Sequence, residues 1–420
     1  MFEAVLYGVG IILGAGIYAL IGVGAGIAGN ALWISFVVGA VIAAFTGFSY
    51  AELSSMYPKE AAEYVYTKHA FGKEALAFVA QWMMFFTVVV GIPTVALGFA
   101  GYFGFLFGGN AIFIALALII LMSLLNYFGI KESAKYNDVS TIIEAAGLAA
   151  IILLGLYYGT KYDVFSSMDF FASPGGITGI LTATTVVYFA FIGFENLVNI
   201  SEEAKDAKRI IPKALLISLA ISAVAYILVS IAAVSILGWE QLSNSKAPLA
   251  EAAEKVIPRS SYVLAVIALF ATSNTVLILL IVGSRLLYGL SSNRSLPGFF
   301  SNVGKRGTPY ISIFFITLLA GLSLIFGGGI KKLAHLTDLG IFTVYIFVNL
   351  SVIVLRYREP DARRVFKSPL NIGRFPLLAF LGVLLNLGML YFFDLKTFLY
   401  GLALLLAGLM MYFLFDANKG

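Results

Sequence analysis

Residues 8–29 read GVGIILGAGIYALIGVGAGIAG. Apart from the Tyr18 hydroxyl, every side chain here is apolar or absent, and the length suits one membrane crossing. Eight of these 22 positions are glycine. In a helix interior each glycine costs about 0.8–1.0 kcal/mol relative to alanine. Two readings explain so many of them, with Gly14 and Gly16 at the centre. Either the helix packs very closely on its neighbours through small residues, or it is interrupted. An interruption inside a bilayer is tolerated only where the freed backbone faces protein or an aqueous cavity.

The rest of the chain supports a membrane setting. Hydrophobic residues make up 60% of its 420 positions and charged residues only 12%, about half the charge of a soluble domain. The charges cluster between long apolar runs of about twenty residues, too long for tilted barrel strands. This composition predicts an all-α polytopic membrane protein. There are no cysteines, which excludes disulfides, thiolate metal sites and cysteine nucleophiles. The two histidines, His69 and His335, lie far apart, so neither a metal site nor a cofactor is expected. The net charge of +5 is a property of the loops and does not argue for nucleic acid. The opening MFEAV lacks the basic start of a signal peptide, and the first apolar run begins almost at Met1, so the natural chain is suspected to begin earlier.

Twelve spans are expected, at about 4–27, 31–50, 76–105, 111–129, 137–158, 176–200, 212–237, 259–290, 309–327, 334–356, 375–393 and 397–415. The third and eighth are long enough to be tilted. The whole of 1–420 reads as one transmembrane domain. KAPLAEAAEKVI within the loop 238–258 reads as a short helix over one face, and AELSSMYPKEAAEYVYTKHAFGKEA from 51 onward as a surface helix. Lysine and arginine set the orientation. Nineteen, including Lys59, Lys68, Lys131, Lys205, Lys208, Arg294, Lys305, Arg356, Arg364 and Lys419, fall on the side of the N terminus, against seven on the other and Arg285 within a span. Both termini are therefore expected in the cytoplasm of a multi-pass cell-membrane protein.

The first span has its interruption at LGAGIY, residues 13–18. Five spans later, ILTATTVVYFAFIGFENLVNI carries FIGFEN at 191–196, with Gly193 and the charged Glu195 at mid-depth. First and sixth are corresponding members if the chain holds two five-helix repeats. Interrupted spans at matching places in two halves point to a transporter binding site. The physics of a broken helix says what would bind. Free N–H groups at the start of the second half carry about +0.5 charge and suit a carboxylate. Free carbonyls at the end of the first half suit an ammonium or a small cation. A molecule with both groups is an α-amino acid. The expected cradle is the Ala15, Gly16 and Ile17 amides for the carboxylate, the Ile12 carbonyl for the amine, and the Phe189 and Ile192 carbonyls from the sixth span. Gly14, Gly16 and Gly193 allow the chain to unwind and a ligand to come close. Gly22, Gly24, Gly26 and Gly29 read as packing glycines.

These residues resemble the amino acid–polyamine–organocation (APC) superfamily, in particular its bacterial and archaeal branch related to cationic amino acid transporters. The similarity covers nearly the whole chain. GAGIY at 14–18 resembles that family's first-helix motif, and FAFIGFE at 189–195 its sixth-helix break with the acidic residue. AELSSMYPKEAAEYVYTKHAFG at 51–72, SEEAKDAKRIIPKAL at 201–215 and FTVYIFVNLSVIVLRYREPDARRVFKSPL at 342–370 are similar to its conserved loops. Any one glycine motif is weak; five in order are specific. The resemblance implies a five-plus-five inverted repeat of the leucine-transporter type, with broken helices 1 and 6. It implies repeat 1 at about 4–158, repeat 2 at about 176–356 and two additional helices at 375–415. It also implies secondary transport of amino acids by alternating access, and the carboxylate and amine contacts assigned above. Two departures stand out. Ala61, Ala62 and Glu63 replace a glycine-rich turn, and Glu144 stands at the matching position where some proton-coupled relatives place a lysine.

Four ionisable residues fall within spans: Glu144, Glu195, Arg285 and Asp338. A mid-bilayer charge costs at least ~2.5–3.5 kcal/mol, so each needs a partner, a cavity or neutralisation. Arg285 can snorkel to the cytoplasmic face, and Asp338, near the start of the tenth span and close to the outer surface, is expected to cap that helix, with a place in the outer gate as the alternative. Glu144 has three readings: a coupling carboxyl that takes and releases a proton, a sodium ligand with carbonyls near Ile12 and Leu13 and the Thr272 and Ser273 hydroxyls, or a permanently protonated structural group. Glu195 either couples binding to gating, satisfies free amides of its half-helix, or attracts a basic substrate. Phe189, Phe191 and Phe194 read as pocket walls or as ordinary packing. The leading expectation is a proton-coupled amino acid transporter, with an exchanger on the same scaffold as its variant. A channel needs a continuous polar stripe, which is lacking. A major-facilitator protein needs a charged glycine–aspartate–arginine loop, also lacking. An enzyme needs a catalytic constellation, and the intramembrane polar residues are too scattered for one.

Overall fold

A computed structural model describes residues 1–59, 61–199, 206–292, 295–304 and 306–416. The first helix is short: α1 (Phe2–Leu13) stops at Gly14, and α2 (Ala15–Ala28) continues beyond it. A single 3-10 turn then leads to α3 (Leu32–Met56) and, past a loop, to α4 (Ala62–Phe71). The long α5 (Glu74–Phe107) is 34 residues, about 50 Å at 1.5 Å per residue, so it crosses any bilayer at a tilt. Asn110 starts α6 (Ala111–Phe128), its side chain accepting from the Ile112 amide at 2.9 Å. α7 (Ile130–Lys161) and the short α8 (Val164–Ser167) precede α9 (Gly176–Val187).

After α9 come a 3-10 turn at Tyr188–Phe191, the short α10 (Asn196–Asn199) and α11 (Ala207–Leu237). Two small helices, α12 (Trp239–Asn244) and α13 (Pro248–Val256), lead into α14 (Ser261–Ser292). α15 (Tyr310–Phe326), α16 (Ile330–Arg358), α17 (Leu377–Leu390) and α18 (Leu395–Asp416) complete the helices, with a two-residue antiparallel pairing, β1 (Asn371–Ile372) with β2 (Phe375–Pro376), before α17. Each of the twelve apolar segments expected from the sequence is occupied by helix. Among the described residues, nine helical stretches are long and apolar enough to cross a membrane, the first running from Phe2 through Met56, while α15 and α17 are shorter apolar helices. The protein is all-α and polytopic. Lys205, Arg294, Lys305, Lys419 and residues 201–205 of the loop motif lie outside the described residues.

Exposed residues on the outer helices are large and apolar, among them Phe113, Leu121, Phe314 and Phe326, as expected of a surface that meets lipid. Arg285 points out of the bundle on α14. The loop after α3 departs from expectation. Ala62, Glu63, Tyr64, Tyr66, Thr67 and Ala70 of α4 are buried, so α4 packs into the bundle against α5 and α16 and is not a surface helix. Its aromatic face supplies the apolar area that a surface helix would leave wet.

One buried ionic knot ties the halves together at the end of α3. Glu52 is 1% exposed and Arg356 3%. Their pairing is bidentate, at 2.6 and 2.7 Å. Arg364 Nε donates to the same carboxylate at 3.1 Å, and the Ser368 amide at 2.9 Å. Four donors on one carboxylate offset the cost of removing it from water. Nearby, Asn349 of α16 donates to Thr46 at 3.0 Å and accepts from Ser49 at 2.6 Å, and Asn386 of α17 donates to Thr46 at 3.3 Å. These polar contacts fix α16 and α17 against α3. Arg356→Ala is expected to cost about 3 kcal/mol, the low end for a broken buried pair because Arg364 remains. The check is the thermal-unfolding midpoint in detergent, with an unchanged midpoint as the contrary result.

Candidate functional site

The two helix interruptions lie against each other. Gly14 has φ −26° and ψ −160°, which breaks the hydrogen-bond ladder for one residue. In the second interruption the 3-10 turn ends at Ile192, extended at φ −62° and ψ 132°. Gly193 follows at φ 130°, a conformation that favours glycine. A Cβ on Gly193 would sit 3.0 Å from the Ile11 carbonyl oxygen. A Cβ on Gly16 would sit 2.4 Å from Ala190 Cα. Gly16 is thus part of helix α2, not of the unwound stretch, and serves the close approach of the two breaks. The first interruption is narrower than expected, confined to Gly14.

The freed backbone groups are satisfied by side chains from neighbouring helices. The Ala15 amide donates to Thr275 Oγ1 of α14 at 2.9 Å. The fully buried Tyr226 hydroxyl of α11 donates to the Ala190 carbonyl at 2.9 Å and shares its hydrogen with the Ile12 carbonyl. One hydroxyl therefore bridges a carbonyl from each break. Gly16 and Ile17 follow in the first turn of α2, where amides lack an intrahelical acceptor. On the other break, the Phe189 carbonyl is taken by the Ile192 amide at 3.2 Å. The carbonyl that faces the first helix is Ala190, one residue on from the expected Phe189.

Glu144 of α7 is fully buried, and neither carboxyl oxygen has a hydrogen-bond partner among the described residues. Its backbone carbonyl accepts from the Tyr18 hydroxyl of α2 at 3.0 Å. It therefore stands beside the first break. Glu195 is also buried. Both of its oxygens accept from the Gly193 amide at 3.0 Å, and the Tyr345 hydroxyl of α16 donates to Oε2 at 2.9 Å. The carboxylate thus takes an amide freed by the break and clips it to α16.

Thr272 and Ser273 lie one turn earlier on α14 than the hydroxyl that reaches the break. Thr272 donates to the Ala268 carbonyl at 2.6 Å and Ser273 to Leu269 at 2.6 Å, with Tyr136 2.5 Å from the Ser273 oxygen. Asp338 is a correction. It lies about two turns into α16, fully buried beside Tyr188 and Phe189, so it does not cap that helix. Phe191 packs on Tyr226 at 5.3 Å between ring centres, and Phe194 on Tyr345 at 5.3 Å. Beside the second break lies a narrow cavity with room for about one water molecule, lined by Thr87, Phe189, Ile192, Glu195, Leu279 and Thr337 among others.

Residues 1–409 match the family model described as amino acid permease. The chain belongs to the amino acid permease family. It is thus a member of the APC superfamily and a membrane transport protein, not an enzyme. The branched-chain amino acid permease BcaP of Bacillus subtilis is 30% identical over 445 residues, covering 99% of this chain and 92% of that protein. The methylthioribose transporter of the same organism is 29% identical over 438 residues, again 99% and 92% of the two chains. The vacuolar cationic amino acid transporter 4 of Arabidopsis thaliana is 30% identical over 385 residues, 86% of this chain and 63% of that one.

Tyr226, Ala190, Thr275 and Tyr345 are the site residues that sequence reasoning misses. A signal existed for Tyr226, the lone hydroxyl in the aliphatic stretch AYILV at 225–229, because a buried tyrosine hydroxyl needs a partner. Nothing in the sequence says which partner. Tyr226→Phe leaves two buried carbonyls without their donor and is expected to cost about 1–3 kcal/mol, read as a lower unfolding midpoint. Gly16→Ala is expected to force the breaks apart and abolish transport in reconstituted vesicles while the protein still inserts. Wild-type uptake by that variant would show that the contact tolerates an added carbon.

Proposed function

We propose that this permease is a proton-coupled amino acid transporter of the cell membrane that works by alternating access. The observation that carries the reading is the Tyr226 bridge between the Ile12 and Ala190 carbonyls. Two carbonyls from two different broken helices converge on one donor, which is the arrangement an ammonium group would meet. The first-turn amides of Ala15, Gly16 and Ile17 are the complementary place for the carboxylate. Gly14 and Gly193 give both breaks their backbone freedom. In the compact state described above, Tyr226 and Thr275 hold the places of the substrate's charged ends, and the amino acid displaces them on entry. The lining by Met84, Val88, Phe189, Ile192 and Leu279, with only Thr87, Thr337, Asn196 and Glu195 polar, fits an uncharged side chain of modest size.

Helix contacts support the two five-helix repeats of this reading, and the lysine and arginine bias of the loops supports both termini in the cytoplasm. Counting crossings, first packs on sixth (α2 with α9), second on seventh (α3 with α11), third on eighth (α5 with α14) and fourth on ninth (α6 with α15). Equivalent members of two repeats meet in this way near an axis in the membrane plane.

Glu144 is the proposed coupling carboxyl. Burial without a partner favours its neutral form, and water admitted beside the first break favours ionisation. A substrate cycle that opens and closes the break therefore binds and releases a proton. The sodium reading has less support, because the Thr272 and Ser273 hydroxyls turn back on their own helix. The test is uptake of labelled amino acids into proteoliposomes with an imposed pH gradient. Wild type is expected to concentrate substrate and Glu144→Gln to lose accumulation while keeping exchange. Accumulation by Glu144→Gln equal to wild type would remove Glu144 from the coupling role.

A further inference from the structure

Glu63 is the one acidic residue of α4 whose side chain is buried yet faces no cation. It is fully buried. Its Oε1 accepts from the Tyr50 hydroxyl of α3 at 2.8 Å, and Oε2 has no hydrogen-bond partner among the described residues. The cations around α4 are engaged elsewhere. Lys68 pairs with Glu74 at 2.6 Å, Arg358 donates to the Ala70 carbonyl at 2.7 Å, and Arg356 and Arg364 hold Glu52. From α5, Gln81 presents an amide whose oxygen is taken by the Tyr64 N–H at 3.3 Å. On α4 itself, the Tyr66 hydroxyl is buried without a partner.

A second carboxyl–tyrosine pair lies behind the first. The Tyr50 ring meets the Tyr345 ring edge-on at 5.9 Å and the Phe194 ring at 5.6 Å. Tyr345 carries the hydrogen bond to Glu195 at the sixth-helix break. So Glu63–Tyr50 and Tyr345–Glu195 form two matched carboxyl–tyrosine pairs whose rings are in contact. Two like charges in a dry interior oppose each other's ionisation.

We propose that Glu63 is a buried proton-binding site on the side of the bundle that the lysine and arginine bias assigns to the cytoplasm, and that its charge sets whether Glu195 at the break is ionised. The inference rests on the proton-coupled reading above. With Glu63 protonated, Glu195 is free to ionise and hold the Gly193 amide and Tyr345, which keeps the break clipped to α16. With Glu63 ionised, Glu195 is pressed towards its neutral form and the clip weakens. Burial pushes the Glu63 carboxyl above its ordinary range, and the Tyr50 hydroxyl pulls it back. Cytoplasmic pH therefore reads through α4 to the break, without contact with substrate.

The experiment measures amino acid exchange in right-side-out and inside-out membrane vesicles, with pH varied on one side at a time. Exchange needs no net proton movement, so it reads Glu63 even where accumulation fails. Wild type is expected to show a rate that changes by up to about tenfold per pH unit on the cytoplasmic side, the slope of one titrating group. Glu63→Gln is expected to flatten that profile to less than about twofold while leaving the outer-side profile intact. Tyr50→Phe removes the bond that favours the ionised form and is expected to move the midpoint to higher pH. A wild-type cytoplasmic profile in Glu63→Gln overturns the proposal. If that variant does not fold, an unmoved midpoint in Tyr50→Phe overturns it. Absence of substrate-driven proton uptake by wild type, measured in the same vesicles, would instead remove the proton-coupled reading.

Discussion

An interrupted helix inside a bilayer must find partners for its freed backbone, and this constraint organises the protein. Each unpaired amide or carbonyl costs several kcal/mol in hydrocarbon. The Tyr226 hydroxyl meets that cost for one carbonyl on each side of the gap, and Thr275 for the Ala15 amide. Glu195 does the same for the Gly193 amide. Every one of these partners comes from a helix other than α1 and α2, or from the break's own next turn. The interruption is stable only because four elements converge on it.

The same convergence makes the site adjustable. Partners that are side chains can swing away, whereas a ladder of helix hydrogen bonds cannot open at one place without fraying. In the proposed binding mode, a zwitterion that offers an ammonium and a carboxylate would replace the Tyr226 and Thr275 contacts in kind. The exchange is nearly neutral in hydrogen bonds, which leaves the free energy of binding available to move helices. The rigid Glu52–Arg356–Arg364 knot and the Asn349 cluster lie on the α4 side of the site, at the ends of α3 and α16. They provide a firm frame against which the breaks can shift.

Among the described residues, three buried carboxyls are incompletely paired. Glu144 and Asp338 have no side-chain hydrogen-bond partner and Glu63 has one. Glu195 is bonded at both oxygens. A series of acidic groups that differ in how completely they are paired suits stepwise protonation, because the least paired group is the one whose proton is most responsive to a change in surroundings.

Much was legible in the sequence. Apolar runs and lipid-scale length gave the helices, since membrane segments declare themselves by composition alone. Gly14 and Gly193 marked the breaks, because glycine at the centre of a span has few other reasons to be there. Glu144 and Glu195 stood out for the same reason, as charges where charge is costly. The residues that the sequence could not reveal are those defined by what they touch. Tyr226, Thr275 and Tyr345 are ordinary on their own helices. Ala190 replaced Phe189 as the facing carbonyl because a 3-10 turn rotates the chain differently from an α-helix. Asp338 and α4 were misplaced outward because burial of a polar group depends on neighbours distant in sequence. The chain by itself determined where helices form and where they fail. Only the tertiary structure decided which groups meet across the gaps, because rotation about each helix axis is set by packing between segments and is not encoded in any one of them.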